Sequence, residues 1–393
     1  MADGQSSRLR AAIVGPGYIG AVHAESLRRV GGDVSWIVGR PGSDLAARAA
    51  ALGVPRFTSR LEDALEDASV DVVHVCTPNA LHYPIARAAL AHGKHLVCEK
   101  PLTTSAADAA NLVRQAQDAG VVAGVAYCYR YYPLVQQARH LVSAGTLGSV
   151  HHVRGLYLAD ELLHHDYLHY RFDRSLAGPS LAMADVGVHW CDLAEHVTSQ
   201  RIVELLADVQ TTIPVRTWRR DAPGAGPVPG SASADATSHD VEIAGEDCLS
   251  LLLRFDGGAH GAVTVSQVSP GFKNWIVLSI DGSQAGVDWN QEQPNTLTVR
   301  RRAPAWEVLP KDPTLMASEA AALAHAPGGH PEGYLDAFRN LIAAIYDAIQ
   351  HARRGETTGD GYPTLEDGYR GVLFVEAALQ SARERRWVAV GSS

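Results

Sequence analysis

From Leu9 to about Ala126, short apolar runs alternate with stretches of helical periodicity. The runs are Ala11–Val14, Val34–Val38, Val70–Cys76, His95–Cys98 and Val121–Ala126. Apolar runs of this length, separated by helices, predict a parallel sheet buried on both faces. Ser59-Arg60-Leu61-Glu62 reads as a capping box, in which the serine and glutamate would satisfy open N–H groups at a helix start. Gly53, Gly93 and Gly120 stand where the intervening helices should end.

Beyond Tyr127 the pattern changes. Val150–Leu158, Ile202–Thr212, Leu249–Phe255, Ala259–Val268, Trp275–Ile280, Gly286–Trp289 and Thr296–Arg301 read as strands. Asp256-Gly257-Gly258 and Asp281-Gly282 are hairpin signals, so this sheet should be mostly antiparallel. A helix over Ala182–Val197 interrupts it, and helices over Tyr334–Ala352 and Leu365–Arg385 close the chain. Asp221–His239, rich in Ala, Pro, Gly and Ser, reads as a surface loop. The expected fold is therefore an α/β Rossmann domain over residues 1–127. An α+β domain with a large, mostly antiparallel open sheet follows over 128–393, and its last helix is free to pack back on the first domain. An open sheet has two faces, and these helices suffice to cover one. A homodimer or homotetramer through the other face is the expectation.

Composition narrows the class. The 393 residues carry a net charge of −9, which argues against a general nucleic-acid binder. No apolar run is long enough to span a membrane, and the polar start lacks the core of a signal peptide. The five cysteines are scattered, without zinc-like spacing, and read as buried thiols of a cytoplasmic protein.

Gly15-Pro16-Gly17-Tyr18-Ile19-Gly20 matches G-x-G-x-x-G between a predicted strand and a predicted helix. There the glycines permit a tight turn and close approach of backbone to a pyrophosphate, and the helix N-terminus favours the negative charge. An NAD site usually places an acid on the ribose some 20 residues on. Here the second strand ends Val38-Gly39-Arg40, with Asp33 at its wrong end and Asp44 past the turn. An arginine there suits a 2′-phosphate, so NADP is favoured over NAD.

Cys98-Glu99-Lys100-Pro101 ends a strand at the sheet's carboxyl edge, where ligands of such folds bind. The chain holds only four lysines, Lys94, Lys100, Lys273 and Lys311, against thirty arginines. A lysine can deprotonate or supply a compact charge where arginine cannot. Asp185 and His189, four apart on a predicted helix, would share one face, where a carboxylate can orient an imidazole.

Together these pieces resemble the Gfo/Idh/MocA family of nicotinamide-dependent sugar and cyclitol oxidoreductases over nearly the whole chain. The resemblance rests on the glycine motif, Thr77-Pro78-Asn79 with His82, Glu99-Lys100-Pro101, Arg130 with Pro133, and Asp185 with His189. Gly329-His330-Pro331-Glu332-Gly333 and Tyr362-Pro363-Thr364 are similar as well. The resemblance implies that Lys100 and His189 frame the reacting carbinol, with Asp185 binding a substrate hydroxyl or supporting the histidine. It implies cofactor contacts from Gly15, Gly17, Tyr18, Ile19, Gly39, Arg40, Thr77, Pro78, Asn79, His82, Glu99, Lys100 and Arg130. The Lys100–Pro101 peptide is often cis in relatives.

The stretch Leu158–Arg171 is dense in polar and aromatic groups and should overhang the sheet. Tyr157, Asp160, Asp166 and Arg171, with Asp185, His189 and His330, are the candidate sugar contacts. His164, His165, Asp166 and His169 match no metal-site pattern, so no metal is assigned. The implied reaction is hydride transfer between NAD(P) and a secondary alcohol of a sugar or cyclitol. The alternative on the same fold is an NAD-dependent glycoside hydrolase or lyase acting through a transient 3-keto sugar. A non-catalytic sensor is disfavoured because Lys100, Asp185 and His189 are all present.

Overall fold

The computed structural model describes residues 8–165, 169–219, 237–356 and 361–391. Two compact units emerge, one running to Tyr131 and including Tyr334–Tyr369, the other spanning Tyr132–Gly333 and the chain from Arg370 onward. The boundary thus lies four residues past the expected one, and a C-terminal segment belongs to the first unit. The reason is aromatic packing around a short helical turn, Cys128–Tyr131. The Tyr131 hydroxyl donates to the Gly361 carbonyl at 2.8 Å, and Tyr129 packs against Tyr334 at 6.4 Å between ring centres. The helix Tyr334–Arg353 buries Phe338, Leu341, Ile342, Ile345 and Ile349 along one stripe.

In the first unit β1 (Arg10–Val14), β2 (Asp33–Val38), β3 (Phe57–Thr58), β4 (Val72–Val75), β5 (His95–Cys98) and β6 (Ala123–Val125) form a parallel sheet, ordered β3-β2-β1-β4-β5-β6. The order reverses beside β1, which opens a crevice at the strands' carboxyl ends. The helices from the same stretch are α1 (Tyr18–Arg29), α2 (Leu45–Ala51), α3 (Leu61–Leu65), α4 (His82–Ala91) and α5 (Ala106–Ala119). Gly53, Gly93 and Gly120 take positive φ at or just past helix ends, as expected. The capping box does not form. α3 starts one residue later than expected, and Thr58 replaces Ser59, its hydroxyl accepting from the Arg60 N–H and donating to Asp63.

The second unit opens with α6 (Pro133–Ser143) and β7 (Val150–Leu158), followed by α7 (Arg174–Ala177) and α8 (Val188–Thr198). Then come β8 (Ile202–Gln210), β9 (Val215–Arg219), β10 (Ser238–Glu242), β11 (Cys248–Phe255), β12 (His260–Ser266), β13 (Trp275–Gly282), β14 (Ala285–Asn290), β15 (Thr296–Arg301) and β16 (Glu307–Pro310), with α9 (Ser318–Ala321) and β17 (Val388–Ala389). Nine of these strands form one sheet, β16-β15-β14-β13-β7-β12-β11-β8-β17, antiparallel except where β7 meets β12. β9 and β10 form a separate pair that the sequence pattern did not suggest. Most of the predicted loop 221–239 lies outside the described residues, though Ser238 and His239 open β10.

Trp190 anchors α8 to the sheet. It is fully buried, donates to the Val277 carbonyl at 2.9 Å, and fits because position 155 is glycine: a Cβ there would stand 2.3 Å from the indole nitrogen. Along β11, Leu249, Leu251 and Leu253 face inward while Ser250, Leu252 and Arg254 are exposed. Cys76, Cys98, Cys128 and Cys191 are buried free thiols, and Cys248 is half-buried. No described helix is long and apolar enough to cross a membrane.

Candidate active site

At the carboxyl edge of the first sheet, the glycine motif forms the turn from β1 into α1. Gly15 has φ +96°, and a Cβ there would meet the Cys76 carbonyl oxygen at 2.4 Å, so no other residue fits. Gly20 lets the helix approach the turn, since its Cβ would stand 2.3 Å from the Gly15 carbonyl oxygen. Before Gly17 the space is open to at least 4 Å. No side chain caps α1 and no acid occupies its first turn, which leaves its N–H groups and dipole available to an anion. Tyr18 is exposed and Ile19 half-buried beside them. Across the crevice, Thr77 follows β4 with its hydroxyl buried and without a hydrogen-bond partner among the described residues. An open glycine cradle, an uncapped helix start and an unsatisfied hydroxyl fit a dinucleotide.

The next strand brings Glu99 and Lys100 to the same edge. One Glu99 carboxylate oxygen accepts from the Lys100 backbone N–H at 3.2 Å, and the other lies 3.1 Å from His23 Nε2. The Lys100–Pro101 peptide is cis. His82 is buried, with Nδ1 2.8 Å from the Pro101 carbonyl oxygen and Nε2 2.9 Å from that of Thr77. Burial pulls its pKa down, against the two carbonyl contacts and Glu99, which raise it. The ring clamps the Thr77 and Pro101 segments together from behind. Pro78 and the buried Asn79 complete this edge.

In the second unit, Asp185 stands on a π-helical turn, Met183–Gly187, that leads into α8. Such turns widen a helix by one residue and recur at functional sites. Asp185 is buried; one oxygen pairs with Arg171 Nη2 at 3.0 Å and the other accepts from Gln267 Nε2 at 2.7 Å. Arg171 also reaches Glu161 at 3.1 Å. His189 is buried one turn on, its ring 6.5 Å from that of Tyr157, whose hydroxyl donates to Asn274 at 2.6 Å. His169 is held neutral, its pKa lowered to about 4 by burial first and by Arg171 second. This unit thus gathers Tyr157, Arg171, Asp185 and His189.

Both units have counterparts among known proteins. The Gfo/Idh/MocA oxidoreductase family model, an NAD-binding Rossmann fold, matches residues 9–127, and the family's C-terminal domain matches residues 135–288. The chain belongs to the Gfo/Idh/MocA family. A levoglucosan dehydrogenase from Pseudarthrobacter phenanthrenivorans is 27% identical over 97% of this chain and 98% of its own. Among solved structures, an inositol dehydrogenase homolog from Azotobacter vinelandii complexed with NAD+ is 28% identical, with a TM-score of 0.83 over 98% of both chains. An oxidoreductase domain protein from Kribbella flavida has a TM-score of 0.85 at 27% identity, over 98% of this chain and all of its own. This Gfo/Idh/MocA chain is an NAD(P)-dependent oxidoreductase.

Other sequence-derived candidates of this Gfo/Idh/MocA protein have different surroundings. Arg40 is exposed and makes no side-chain ion pair among the described residues. A Cβ at Gly39 would lie 2.3 Å from a Leu45 methyl group, which would have to shift. Arg130 is tied to Asp367 at 3.1 Å, which joins the Cys128–Tyr131 turn to the returning C-terminal segment. Asp160 accepts from Lys273 at 2.7 Å and from the Gly271 N–H, and the lysine bond lowers its pKa. His330 is exposed and contacts its own turn at the Gly328 carbonyl, so the structure does not bond it to the Asp185 group. Asp166 lies outside the described residues.

Three supporting residues escaped the sequence reading. Gln267 is fully buried beneath Asp185. Glu246 accepts from Ser180 Oγ and from the N–H groups of Leu181 and Met183, fixing the entry to the π turn. Arg216, fully buried over the Phe172 ring, donates to the carbonyls of Leu162 and His164 and pins the segment before Arg171. Nothing in the sequence pattern marked Arg216, since the strand that carries it was not predicted.

Proposed function

We propose that this enzyme transfers a hydride between NAD(P) and a secondary alcohol of a sugar, sugar derivative or cyclitol. The observation that carries the reading is the position of Lys100. It stands at the same sheet edge as the glycine cradle, whereas the other three lysines serve structure: Lys94 bonds two carbonyls, Lys273 holds Asp160 and Lys311 holds Glu332. The bound dinucleotide supplies the hydride chemistry. In the oxidation direction His189 accepts the hydroxyl proton and Lys100 stabilises the developing alkoxide by charge. Asp185, oriented by Arg171 and Gln267, accepts a hydrogen bond from a neighbouring hydroxyl of the substrate. The names of the Pseudarthrobacter and Azotobacter relatives support anhydrosugars and inositols as first candidates.

Arg40, with no acid at the ribose edge, favours NADP(H) over NAD(H). The exposed side of the nine-stranded sheet, with Leu252 about half exposed beside Leu206, favours a homodimer or homotetramer through that face. The test of the function is a panel of monosaccharides, anhydrosugars and inositols, each with NAD+ and NADP+, followed by nicotinamide absorbance. Reduction with at least one of these polyols supports the reading; none across the panel in either direction contradicts it. Light scattering at micromolar concentration should give an oligomer, and a monomer would contradict the assembly.

A further inference from the structure

Four buried groups of the first unit form one hydrogen-bonded file that the proposed reaction does not use. The Tyr346 hydroxyl lies 2.8 Å from His74 Nε2, His74 Nδ1 lies 2.8 Å from His23 Nδ1, and His23 Nε2 lies 3.1 Å from Glu99 Oε1. Both histidines are fully buried, and Tyr346 and Glu99 nearly so. They come from the helix Tyr334–Arg353, β4, α1 and the end of β5, so only the tertiary fold joins them. His23 also packs edge-on against His74 and Phe338, at 5.1 and 4.8 Å between ring centres. Polar rings in a core cost stability unless every hydrogen bond is made, and apolar side chains would fill the space more cheaply. Their presence calls for a task.

The bonds themselves place the protons. A carboxylate only accepts, so His23 Nε2 carries hydrogen. Burial and the neighbouring His23 hold the His74 pKa well below its usual value, so His74 is neutral with a single hydrogen. The Tyr346 hydroxyl, whose ionisation burial suppresses, donates to His74 Nε2, its hydrogen-bond partner. The single hydrogen of His74 is then on Nδ1 and donates to His23 Nδ1, so every donor points along the file toward Glu99. The second Glu99 oxygen accepts the Lys100 N–H, while His82 holds the following carbonyl, that of Pro101.

We propose that His23, fixed in its Nε2–H tautomer by His74 and Tyr346, is a positioning residue that locks the Glu99 carboxylate and, through it, the backbone of Lys100. The inference rests on the reading of Lys100 given above. His23→Gln tests it, because a glutamine amide can offer an N–H to Glu99 and an oxygen to His74 yet cannot pass a proton along. His23→Leu removes both bonds.

Nitrogen-resolved NMR of the full-length protein with bound NADP+ should show hydrogen on Nε2 of His23 and on Nδ1 of His74. The kcat of His23→Leu should fall on the order of 10- to 100-fold, the scale of a small misplacement of a reacting group, with the KM for the polyol changing less. His23→Gln should recover kcat to within a few-fold of the parent. Hydrogen on Nδ1 of His23 would overturn the proposal. So would a parent-like kcat in His23→Leu, or a His23→Gln variant that folds by circular dichroism yet is as slow as His23→Leu. The NMR arm needs no polyol, so a failure of the sugar reading leaves the tautomer result standing and separately readable.

Discussion

The dinucleotide edge of the first unit and the Asp185 group of the second are built in opposite ways. At the first, side chains bond mainly to backbone: His82 faces two carbonyls, Glu99 takes the Lys100 N–H, and the turn at Gly15 admits no side chain. At the second, side chains bond to side chains: Arg171 and Gln267 hold Asp185, and Glu161 holds Arg171. On the proposed function the difference matches two tasks. A cofactor common to a whole family asks for a fixed backbone, whereas a substrate that varies among relatives is selected by groups that can change without moving the chain. Mutations at the first site should therefore act on the rate, and those at Asp185 and the groups that hold it on recognition.

The largest effect is expected at the reacting groups. Lys100→Ala and His189→Ala should each lower kcat by about 100- to 10,000-fold while keeping the circular dichroism spectrum and near-parent dinucleotide affinity. Turnover within a few-fold of the parent in either variant would remove that residue from the chemistry. Next comes Asp185→Asn, which removes a charge-assisted bond of about 1.5–3 kcal/mol, or roughly 10- to 100-fold. Steady-state kinetics should show it mainly in KM for the polyol, with a smaller loss in kcat. A loss confined to kcat would place Asp185 with Lys100 and erase the contrast between the sites.

Acid should act on both units, through His95 as well as the buried His74 and His82 in the first and through His169 in the second. The pKa of His95 is lowered to about 4 by burial first and Arg353 second, and that of His169 to about 4 by burial first and Arg171 second. Folding thus excludes a proton that the unfolded chain binds near pH 6.5. Their contribution to stability is complete above about pH 6.5 and is lost as the pH falls toward 4. Thermal midpoints should drop over that window, and less steeply in His169→Gln or His95→Asn. An unchanged slope in both variants would show that other groups carry the acid sensitivity. The smallest effect should come from Arg40→Ala. An exposed arginine on a 2′-phosphate is worth about 1–1.5 kcal/mol, so NADP(H) affinity should fall on the order of tenfold with NAD(H) affinity unchanged. A preference for NAD(H) that the substitution leaves untouched would assign the cofactor the other way.

What could be read from the sequence was what depends on local backbone. The glycine spacing reports the Gly15 turn because positive φ is a property of one residue, and Lys100 stood out because lysine is rare in this chain. What was hidden depends on distant partners. Asp185 and His189 were placed on one face of a regular helix, but the π turn over Met183–Gly187 changes the spacing. Glycine at 187 accommodates it, since a Cβ there would meet the Met183 sulfur at 2.6 Å. Gln267, the partner of Asp185, lies 82 residues away, just past the end of β12. The returning helix Tyr334–Arg353 was legible as a helix but not in its destination, because its apolar stripe would fit any open face. His74 did leave a trace: a histidine within the buried run Val72–Val75 is a polar group that needs a partner.

The most direct test of the central claim follows the hydride itself. The polyol identified from the panel, deuterated at the reacting carbon, is incubated with the enzyme and oxidised dinucleotide, and the products are read by mass spectrometry. The account predicts that deuterium accumulates on the nicotinamide ring, one per ketone formed, with a matching rise in reduced dinucleotide. Conversion of the substrate with no net reduced dinucleotide, the label returning to the sugar, would contradict it and assign hydrolysis or elimination through a transient keto sugar instead.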